Sequence, residues 1–147
     1  IASAFVVTFT KPREKLIVSP DRVPIWKYIG FAPEYVQCMH LMLQQNEPGD
    51  FVMGTGESYS VREFCEIAFK EIGIVLKWKG KGLKEKGYNI KTNKILIEVD
   101  KRYFRPTEVD FLLGDASKAK KLLKWKPKIK FKDLVSEMIQ NDINNTS

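Results

Sequence analysis

The hydrophobic pattern of the chain mixes short apolar runs with amphipathic stretches, which is typical of the α/β class. The clearest helix is predicted after residue 60, where Ser60 and Glu63 have the spacing of a capping box. Apolar residues then recur at helical intervals: Val61, Phe64, Cys65, Ala68, Phe69 and Ile72. Gly73 predicts its end. Phe51–Met53 and 75–78 predict flanking strands, and Gly54-Thr-Gly56 predicts a turn.

Three further helices are predicted. Ala32–Gln45 has Pro33 and Glu34 in its first turn and an apolar spacing that predicts a buried face of Val36, Met39 and Leu43, together with Cys38 and Met42. A short helix capped by Asp115 or Ser117 ends near Lys124. Phe131–Ile143 predicts a final amphipathic helix, whose apolar side holds Leu134, Val135, Met138 and Ile139.

The remaining stretches predict strands and loops. Ala4–Thr10, Lys15–Val18 and Lys94–Val99 have the composition of strands. Gly80–Asn89 is rich in glycine and lysine and predicts a loop. The polar residues 144–147 predict a frayed tail.

Composition indicates one domain of ordinary size, since the 147 residues are 44% hydrophobic. The first residue is Ile, which indicates a start inside a longer reading frame. The apolar run at 1–10 lacks a basic leader and is too short to span a membrane, so we expect no signal peptide and no membrane partner. Cys38 and Cys65 have no metal spacing and predict reduced core thiols, which favours a cytoplasmic protein.

The formal net charge of +7 could serve phosphate-bearing partners, but the lysine clusters at 77–94 and 118–132 are more typical of a solvated surface. These clusters lack aromatic interleaving and a known module, so we expect no nucleic-acid partner.

Several familiar catalytic patterns are missing from the sequence. Gly54-Thr-Gly56 is half of a dinucleotide fingerprint, because Tyr59 stands at the position of the third glycine. His40 is the one histidine and has no grouped ligands, so we expect no metal site. No tyrosine has a lysine four residues further on, the pair with which reductases move a proton of a sugar hydroxyl. We therefore predict no catalytic residue in this chain.

Arg105 and Glu108 are the candidate binding residues. Pro106 favours an extended backbone at Arg105, whose guanidinium can bind a phosphate through two hydrogen bonds. Glu108 can accept a hydrogen bond from a sugar hydroxyl. A surface ion pair explains the same spacing.

Four blocks resemble GDP-mannose 4,6-dehydratase in order and spacing. They are Glu34-Tyr-Val-Gln-Cys-Met-His-Leu-Met-Leu-Gln, Phe51-Val-Met-Gly-Thr-Gly-Glu-Ser-Tyr-Ser-Val-Arg-Glu-Phe, Tyr103-Phe-Arg-Pro-Thr-Glu-Val-Asp-Phe-Leu-Leu-Gly-Asp-Ala-Ser-Lys-Ala-Lys and Leu123-Lys-Trp-Lys-Pro. The similarity covers residues 27–143, and the third block is the most specific.

This resemblance implies the C-terminal, substrate-binding part of an extended short-chain dehydrogenase/reductase, with an incomplete Rossmann remnant. It divides the chain into a poorly matched segment 1–26, a GDP-sugar-binding part 27–143 and a tail 144–147. The family uses NADP to convert GDP-mannose to GDP-4-keto-6-deoxy-mannose, the first step of GDP-fucose synthesis. Arg105 and Glu108 match family residues that contact GDP. Lys27 stands where the family has a nucleotide-binding Arg, which puts bidentate phosphate binding in doubt.

Two functions follow as expectations. The first is a substrate-binding part that holds GDP-mannose or GDP, is inactive alone and binds no NADP by itself. The second is a non-catalytic nucleotide-sugar-binding or subunit-interaction protein from a truncated paralogue, which forms homo-oligomers or pairs with an intact dehydratase subunit.

Overall fold

The computed structural model describes residues 16–18, 25–26, 30–99 and 114–146 of the 147. The strands in these ranges are β1 (Leu16–Val18), β2 (Ile25–Trp26), β3 (Tyr59–Ser60), β4 (Leu76–Lys79), β5 (Lys86–Asn89) and β6 (Ile95–Val99). The α-helices are α1 (Ala32–Leu43), α2 (Val61–Glu71) and α3 (Phe131–Thr146). A 3-10 turn covers Gly82–Lys84, and a π-helical turn covers Ala119–Leu123. The mixed content of helix and strand confirms the α/β class.

The larger sheet has the strand order β1-β6-β5-β4. β4, β5 and β6 are antiparallel, and β1 joins β6 in parallel, with Leu16 opposite Ile97. At the turn between β5 and β6, the Asn89 carboxamide oxygen accepts hydrogen bonds from the backbone N–H groups of Lys91 and Thr92. β2 and β3 form a separate antiparallel pair. The second predicted strand of the N-terminal segment therefore joins the sheet formed by the middle of the chain.

α2 begins as the capping box predicts. The Ser60 hydroxyl accepts from the Glu63 backbone N–H at 3.1 Å, and the Glu63 carboxylate accepts from the Ser60 N–H at 2.7 Å. Gly73 follows the helix with a φ of +74°, a conformation that glycine adopts without a steric cost. Both predicted ends of this helix are confirmed.

The larger core cluster lies between the sheet and helices α2 and α3. Its buried residues are Val61, Phe64, Cys65, Ala68, Phe69, Ile97, Phe131, Val135 and Ile139. The Ser136 hydroxyl also donates to the Glu71 carboxylate at 2.8 Å, which links the two helices beside the cluster. Predicted core positions of α2 and α3 are thus confirmed, except that Leu134 is only partly buried and that Ile72 and Met138 are exposed.

A second, smaller cluster joins α1 to the segment around residue 120. Its buried residues are Cys38, Ala119, Leu123 and Trp125. Leu41, Met42, Phe51 and Met53 pack against them. Both cysteines are free and buried, one in each cluster, which confirms the prediction of core thiols.

Three sequence predictions are wrong in detail. Three residues of the predicted buried face of α1 are exposed, since Val36, Met39 and Leu43 are 62%, 50% and 82% accessible. Cys38, which belongs to the same prediction, is buried, and Met42 packs against the smaller cluster. Phe51–Met53 is not a strand, although Phe51 and Met53 pack on the smaller cluster. The predicted loop at 80–89 contains the 3-10 turn and β5.

The C-terminal elements follow the prediction more closely. Asp115 lies just before the helical turn, and its carboxylate accepts from the Ser117 N–H at 2.9 Å. This turn ends at Lys124, which has a left-handed φ of +53°. α3 continues to Thr146, beyond the predicted end at Ile143. The predicted strand at 4–10 lies outside the described residues. Within the described ranges, no helix has the length and apolar character needed to cross a membrane.

Candidate functional site

An open cleft of about 710 Å³ lies between three segments of the described chain. We call it the cationic cleft. Its walls are Gly54–Glu57, Gly114–Ser117 with Lys120, and Trp125–Lys130. Four lysines and two carboxylates line it, so its formal charge is positive: Lys120, Lys126, Lys128 and Lys130 against Glu57 and Asp115.

The first wall is the turn that precedes α2. Gly56 has a φ of +77°, and the Thr55 hydroxyl bonds the backbone N–H and C=O of Glu57 at 3.4 and 3.3 Å. The Tyr59 hydroxyl donates to the Glu57 carboxylate at 2.5 Å, while its ring stacks on Phe131 at a centroid distance of 4.0 Å. The hydrogen bond to Glu57 raises the pKa of Tyr59 to about 12, so the phenol is a neutral donor at physiological pH.

The second wall begins at Gly114. The Ser117 side chain, and after it the Ser117 backbone N–H, lower the pKa of the Asp115 carboxyl, because a hydrogen bond donated to a carboxylate favours its charged form. Nearby, the Lys118 ammonium donates to the Asp50 carbonyl at 2.8 Å and lies 4.8 Å from the centre of the Phe51 ring. These contacts join this wall to the segment before Gly54.

The third wall is held by α1. The Trp125 indole N–H donates to the Glu34 carbonyl at 2.9 Å. One Glu34 carboxylate oxygen accepts from the backbone N–H groups of Lys128 and Ile129 at 2.8 and 3.3 Å. Since Trp125 is buried, this clamp fixes the backbone while Lys126, Lys128 and Lys130 stay exposed.

The chemistry of the described cleft is electrostatic. Lysine ammonium groups attract phosphate or carboxylate groups, and a concave wall strengthens that attraction. His40, the one histidine of the chain, is exposed on α1 and does not line the cleft. Among the described residues, no group of three or more His, Cys, Asp or Glu side chains can hold a metal ion.

The described residues do not fit NADP at the Gly54-Thr-Gly56 turn. A dinucleotide site uses free N–H groups at a helix N-terminus to bind the pyrophosphate. Here the Ser60 and Glu63 backbone N–H groups are already bonded within the capping box, and the Glu63 carboxylate puts negative charge at that end. The interpretation of this turn as structural is therefore supported by its hydrogen bonds.

The structure does not describe the three binding residues predicted from the sequence. Lys27, Arg105 and Glu108 all lie outside the described residues. The cleft lysines were interpreted as solvated surface. The sequence pattern that indicates a shared surface for these lysines is the alternation of Lys126, Lys128 and Lys130, since every second residue of an extended segment faces the same way. The sequence predicts only that Glu34 interacts favourably with the dipole of its helix. No sequence pattern indicates its hydrogen bond to the backbone of Lys128, 94 residues away.

The fold and the cleft define a class, a mixed α/β domain with an open and positively charged cleft. The sequence then identifies one family within this class. The family model of GDP-mannose 4,6 dehydratase matches residues 12–138. The chain therefore belongs to the GDP-mannose 4,6-dehydratase family.

Individual relatives agree with this assignment. A GDP-mannose 4,6 dehydratase of Dictyostelium discoideum is 56% identical over 114 residues, which are 78% of this chain and 32% of the relative. A GDP-mannose 4,6 dehydratase of Homo sapiens is 52% identical over 114 residues, which are 78% of this chain and 31% of the relative. A GDP-mannose 4,6-dehydratase of Sinorhizobium fredii is 49% identical over 115 residues, which are 78% of this chain and 33% of the relative. The chain thus spans about a third of the length of these relatives.

Proposed function

We propose that this chain is the nucleotide-sugar-binding, C-terminal part of a GDP-mannose 4,6-dehydratase, and that it binds GDP-mannose. The observation that carries the proposal is the 56% identity over a stretch that makes up 32% of a named dehydratase. The positive lining of the cationic cleft supports an anionic ligand. We also propose that the segment before residue 27 is a remnant of the cofactor-binding domain, and that the protein is cytoplasmic.

Three residues are proposed to hold the GDP group. Arg105 binds the diphosphate through two parallel hydrogen bonds, and Glu108 accepts from a hydroxyl of the nucleotide sugar. Lys27 supplies a single ammonium where the family resemblance places an Arg. Because an ammonium lacks the planar fork of donors, the proposed site binds more weakly than one with Arg at this position.

Calorimetric titration of the purified chain with GDP-mannose tests this binding. Arg105→Ala is expected to weaken the affinity at least ~30-fold, since a charge-assisted bond contributes about 2 kcal/mol. Lys27→Arg is expected to tighten it by ~3-fold to ~10-fold. Lys91→Ala is the matched control, because it removes one positive charge from the exposed β5–β6 turn. Absence of binding at millimolar GDP-mannose, or equal effects of Arg105→Ala and Lys91→Ala, would contradict the proposal.

The contribution of the cleft lysines to the affinity for GDP-mannose can be measured separately. If the diphosphate lies in the cationic cleft, Lys126→Ala with Lys128→Ala weakens GDP-mannose binding and flattens its dependence on salt concentration. The Lys91→Ala control leaves both unchanged. Loss of affinity in Arg105→Ala but not in this double variant would place the diphosphate outside the cleft.

We further propose that the chain alone performs no dehydration. The family reaction needs a hydride carrier and a general base, and the sequence of this chain has neither a complete cofactor fingerprint nor a Tyr-x-x-x-Lys pair. NADP is proposed to bind elsewhere in a complete dehydratase. Incubation of the chain with NADP and GDP-mannose is expected to give no 4-keto product, and product above background would overturn this proposal.

The second candidate is a non-catalytic partner of an intact dehydratase subunit. The exposed apolar side chains of α1 favour it, because they offer a surface for association. Failure to bind GDP-mannose, combined with association with a dehydratase subunit, would favour this candidate over the first.

A further inference from the structure

The cationic cleft carries positive charge that the described residues do not neutralise. Its four lysines, Lys120, Lys126, Lys128 and Lys130, are all exposed. The ion pairs among the described residues lie outside the cleft, and none of them uses a cleft lysine. Because like charges on one concave surface repel each other, an anion that enters the cleft is attracted without having to displace an existing partner.

The third wall holds three of these lysines on one side. Exposure alternates along this extended segment, so Lys126, Lys128 and Lys130 are exposed while Trp125 is buried. Alternate residues of an extended chain lie about 6–7 Å apart, which lets neighbouring ammonium groups reach one anion. The hydrogen bond from the Lys128 N–H to Glu34 fixes the backbone, so the wall needs little ordering when a ligand binds.

The other two walls add acceptors for hydroxyl groups. The carboxylates of Glu57 and Asp115 line the cleft beside the lysines. The Tyr59 hydroxyl donates to one Glu57 carboxylate oxygen, and no described residue donates to the other. Hydrogen bonds from the Ser117 side chain and backbone lower the pKa of the Asp115 carboxyl, which keeps it ionised and able to accept. Because a carboxylate repels phosphate but accepts from a hydroxyl, the lining fits a ligand that has both groups.

The size, charge and aromatic content of the cleft narrow the ligand further. Its volume of about 710 Å³ suits a small molecule. Four lysines and two carboxylates leave a formal charge of +2, which a phosphomonoester, with about −1.5 to −2 at neutral pH, balances. Trp125 is the one aromatic residue of the described lining, and it is buried with its ring against Tyr35. The described walls therefore offer no ring on which a nucleobase can stack.

We propose that the cationic cleft binds a phosphomonoester of a polyhydroxylated molecule, such as a sugar phosphate. The phosphate group lies against Lys126 and Lys128, and the hydroxyl groups of the ligand donate to Glu57 and Asp115. The inference goes beyond the proposed function, because it gives the cleft a ligand of its own and leaves GDP-mannose at Arg105. It does not require that the chain binds GDP-mannose.

Nuclear magnetic resonance titration of the isotope-labelled chain with glucose 6-phosphate tests the site. The backbone N–H signals of Thr55, Gly56, Ser117 and Lys128 are expected to shift and saturate together, since these residues line the cleft. Glucose, which has the hydroxyl groups without the charge, is expected not to bind. Inorganic phosphate, which has the charge without the carbon-bound hydroxyl groups, is expected to bind at least ~5-fold more weakly.

Variants separate the two halves of the site. Lys126→Ala with Lys128→Ala is expected to weaken glucose 6-phosphate binding at least ~10-fold, through the loss of charge-assisted hydrogen bonds. Glu57→Gln is expected to weaken it at least ~3-fold without weakening the binding of inorganic phosphate, because the amide replaces a hydroxyl acceptor by a donor. Lys91→Ala is the matched control, since it removes one positive charge from the exposed β5–β6 turn, and it is expected to change neither affinity.

The pH dependence of binding distinguishes this ligand from a nucleotide sugar. A phosphomonoester loses its second proton near pH 6, so lowering the pH from 7.5 to 5.5 is expected to weaken glucose 6-phosphate binding at least ~3-fold. The charged side chains that face the cleft are its four lysines, Glu57 and Asp115, and the described lining includes no histidine. The diphosphate of GDP-mannose is esterified at both ends and keeps its charge over this range, so its binding is expected to stay constant.

Absence of saturable shifts with millimolar glucose 6-phosphate would overturn the proposal, as would an affinity that does not change with pH. An equal loss of affinity in Lys91→Ala and in the double lysine variant would also overturn it, because the phosphate would then only screen surface charge. So would GDP-mannose that displaces glucose 6-phosphate in the Arg105→Ala variant, since GDP-mannose would then occupy the cleft. A chain that binds glucose 6-phosphate but not GDP-mannose would refute the proposed function alone and support this inference.

Discussion

Glu34 shows how one side chain joins distant parts of this chain. Its position in the first turn of α1 predicts only a favourable interaction with the helix dipole. In the structure its carboxylate and carbonyl together accept three hydrogen bonds from Trp125, Lys128 and Ile129. Its second carboxylate oxygen is buried without a hydrogen-bond partner among the described residues. The third wall of the cationic cleft therefore depends on this residue.

Replacing Glu34 tests the clamp. Glu34→Ala removes the acceptor for two backbone N–H groups and is expected to lower the free energy of unfolding by about 1–3 kcal/mol. Glu34→Gln keeps one carbonyl oxygen as acceptor, so we expect it to cost less than half as much. Urea denaturation measures both. Equal losses in the two variants would show that the negative charge, and not the hydrogen-bonded clamp, is what stabilises the fold.

Gly30 is a second residue whose role becomes visible only in three dimensions. A Cβ atom built on Gly30 would lie 2.2 Å from the Tyr35 ring. Tyr35 in turn packs edge-on against Trp125 with 5.9 Å between ring centres. Close packing requires the glycine, and no local sequence pattern indicates that requirement.

Among the elements, α2 was the most predictable because its signals are local. Ser60, Glu63 and Gly73 mark both ends, and the apolar stripe between them fixes a single buried face. α1 was predictable in extent but not in orientation. Val36, Met39 and Leu43 lie on one side and Cys38 on another, and all of them satisfy the helical period, so periodicity alone could not say which side is covered.

β5 illustrates a strand that tertiary structure imposes. Its composition predicts a loop, yet it is paired on both sides, with β4 and with β6. Gly87 lies so close to Trp78 and Ile97 that an added Cβ would be 3.2 Å from either side chain. The glycine that suggested a loop instead permits close packing across the strand. Arg105 and Glu108 are candidates from side-chain chemistry and from family resemblance, Lys27 from the resemblance alone, and the roles of all three stay predictions.

The capping box of α2 gives a prediction at the scale of an element. Ser60→Ala removes the acceptor for the Glu63 N–H and is expected to lower the free energy of unfolding by about 1 kcal/mol. Ser60→Asp, which retains a capping oxygen, is expected to cost less than half of that. Chemical denaturation of both variants measures the difference. A neutral Ser60→Ala would mean that packing of Phe64 and its neighbours alone maintains the start of α2.

At the scale of the whole molecule, the described residues form two core clusters of unequal size. The larger has nine buried residues around Cys65, and the smaller has four around Cys38. The walls of the cationic cleft draw on both clusters, because Tyr59 stacks on Phe131 of the larger and Trp125 belongs to the smaller. The shape of the cleft therefore depends on the two clusters staying folded together.

Each core cluster contains one buried thiol, so the reactivity of the two cysteines measures the exposure of each cluster separately. Burial raises the pKa of the Cys65 thiol to about 12, with a further contribution from the Glu66 charge, and burial also raises that of Cys38. A raised pKa favours the neutral thiol in the folded state. The contribution of this shift to the free energy of unfolding is fully present below the pKa of an unfolded thiol, about 8.5. It is lost as the pH rises through the pKa values of the thiols in the folded protein. At pH 8 both folded thiols are protonated and shielded, so alkylation is expected to be slow.

Alkylation by iodoacetamide in increasing urea then distinguishes the clusters. Because the smaller cluster buries less apolar surface, Cys38 is expected to become reactive at a lower urea concentration than Cys65. Mass spectrometry of the single variants Cys38→Ser and Cys65→Ser assigns each midpoint. Coincident midpoints would show that the chain unfolds as one cooperative unit. An earlier midpoint for Cys38 would instead make α1 and the third wall the first part of the cleft to unfold.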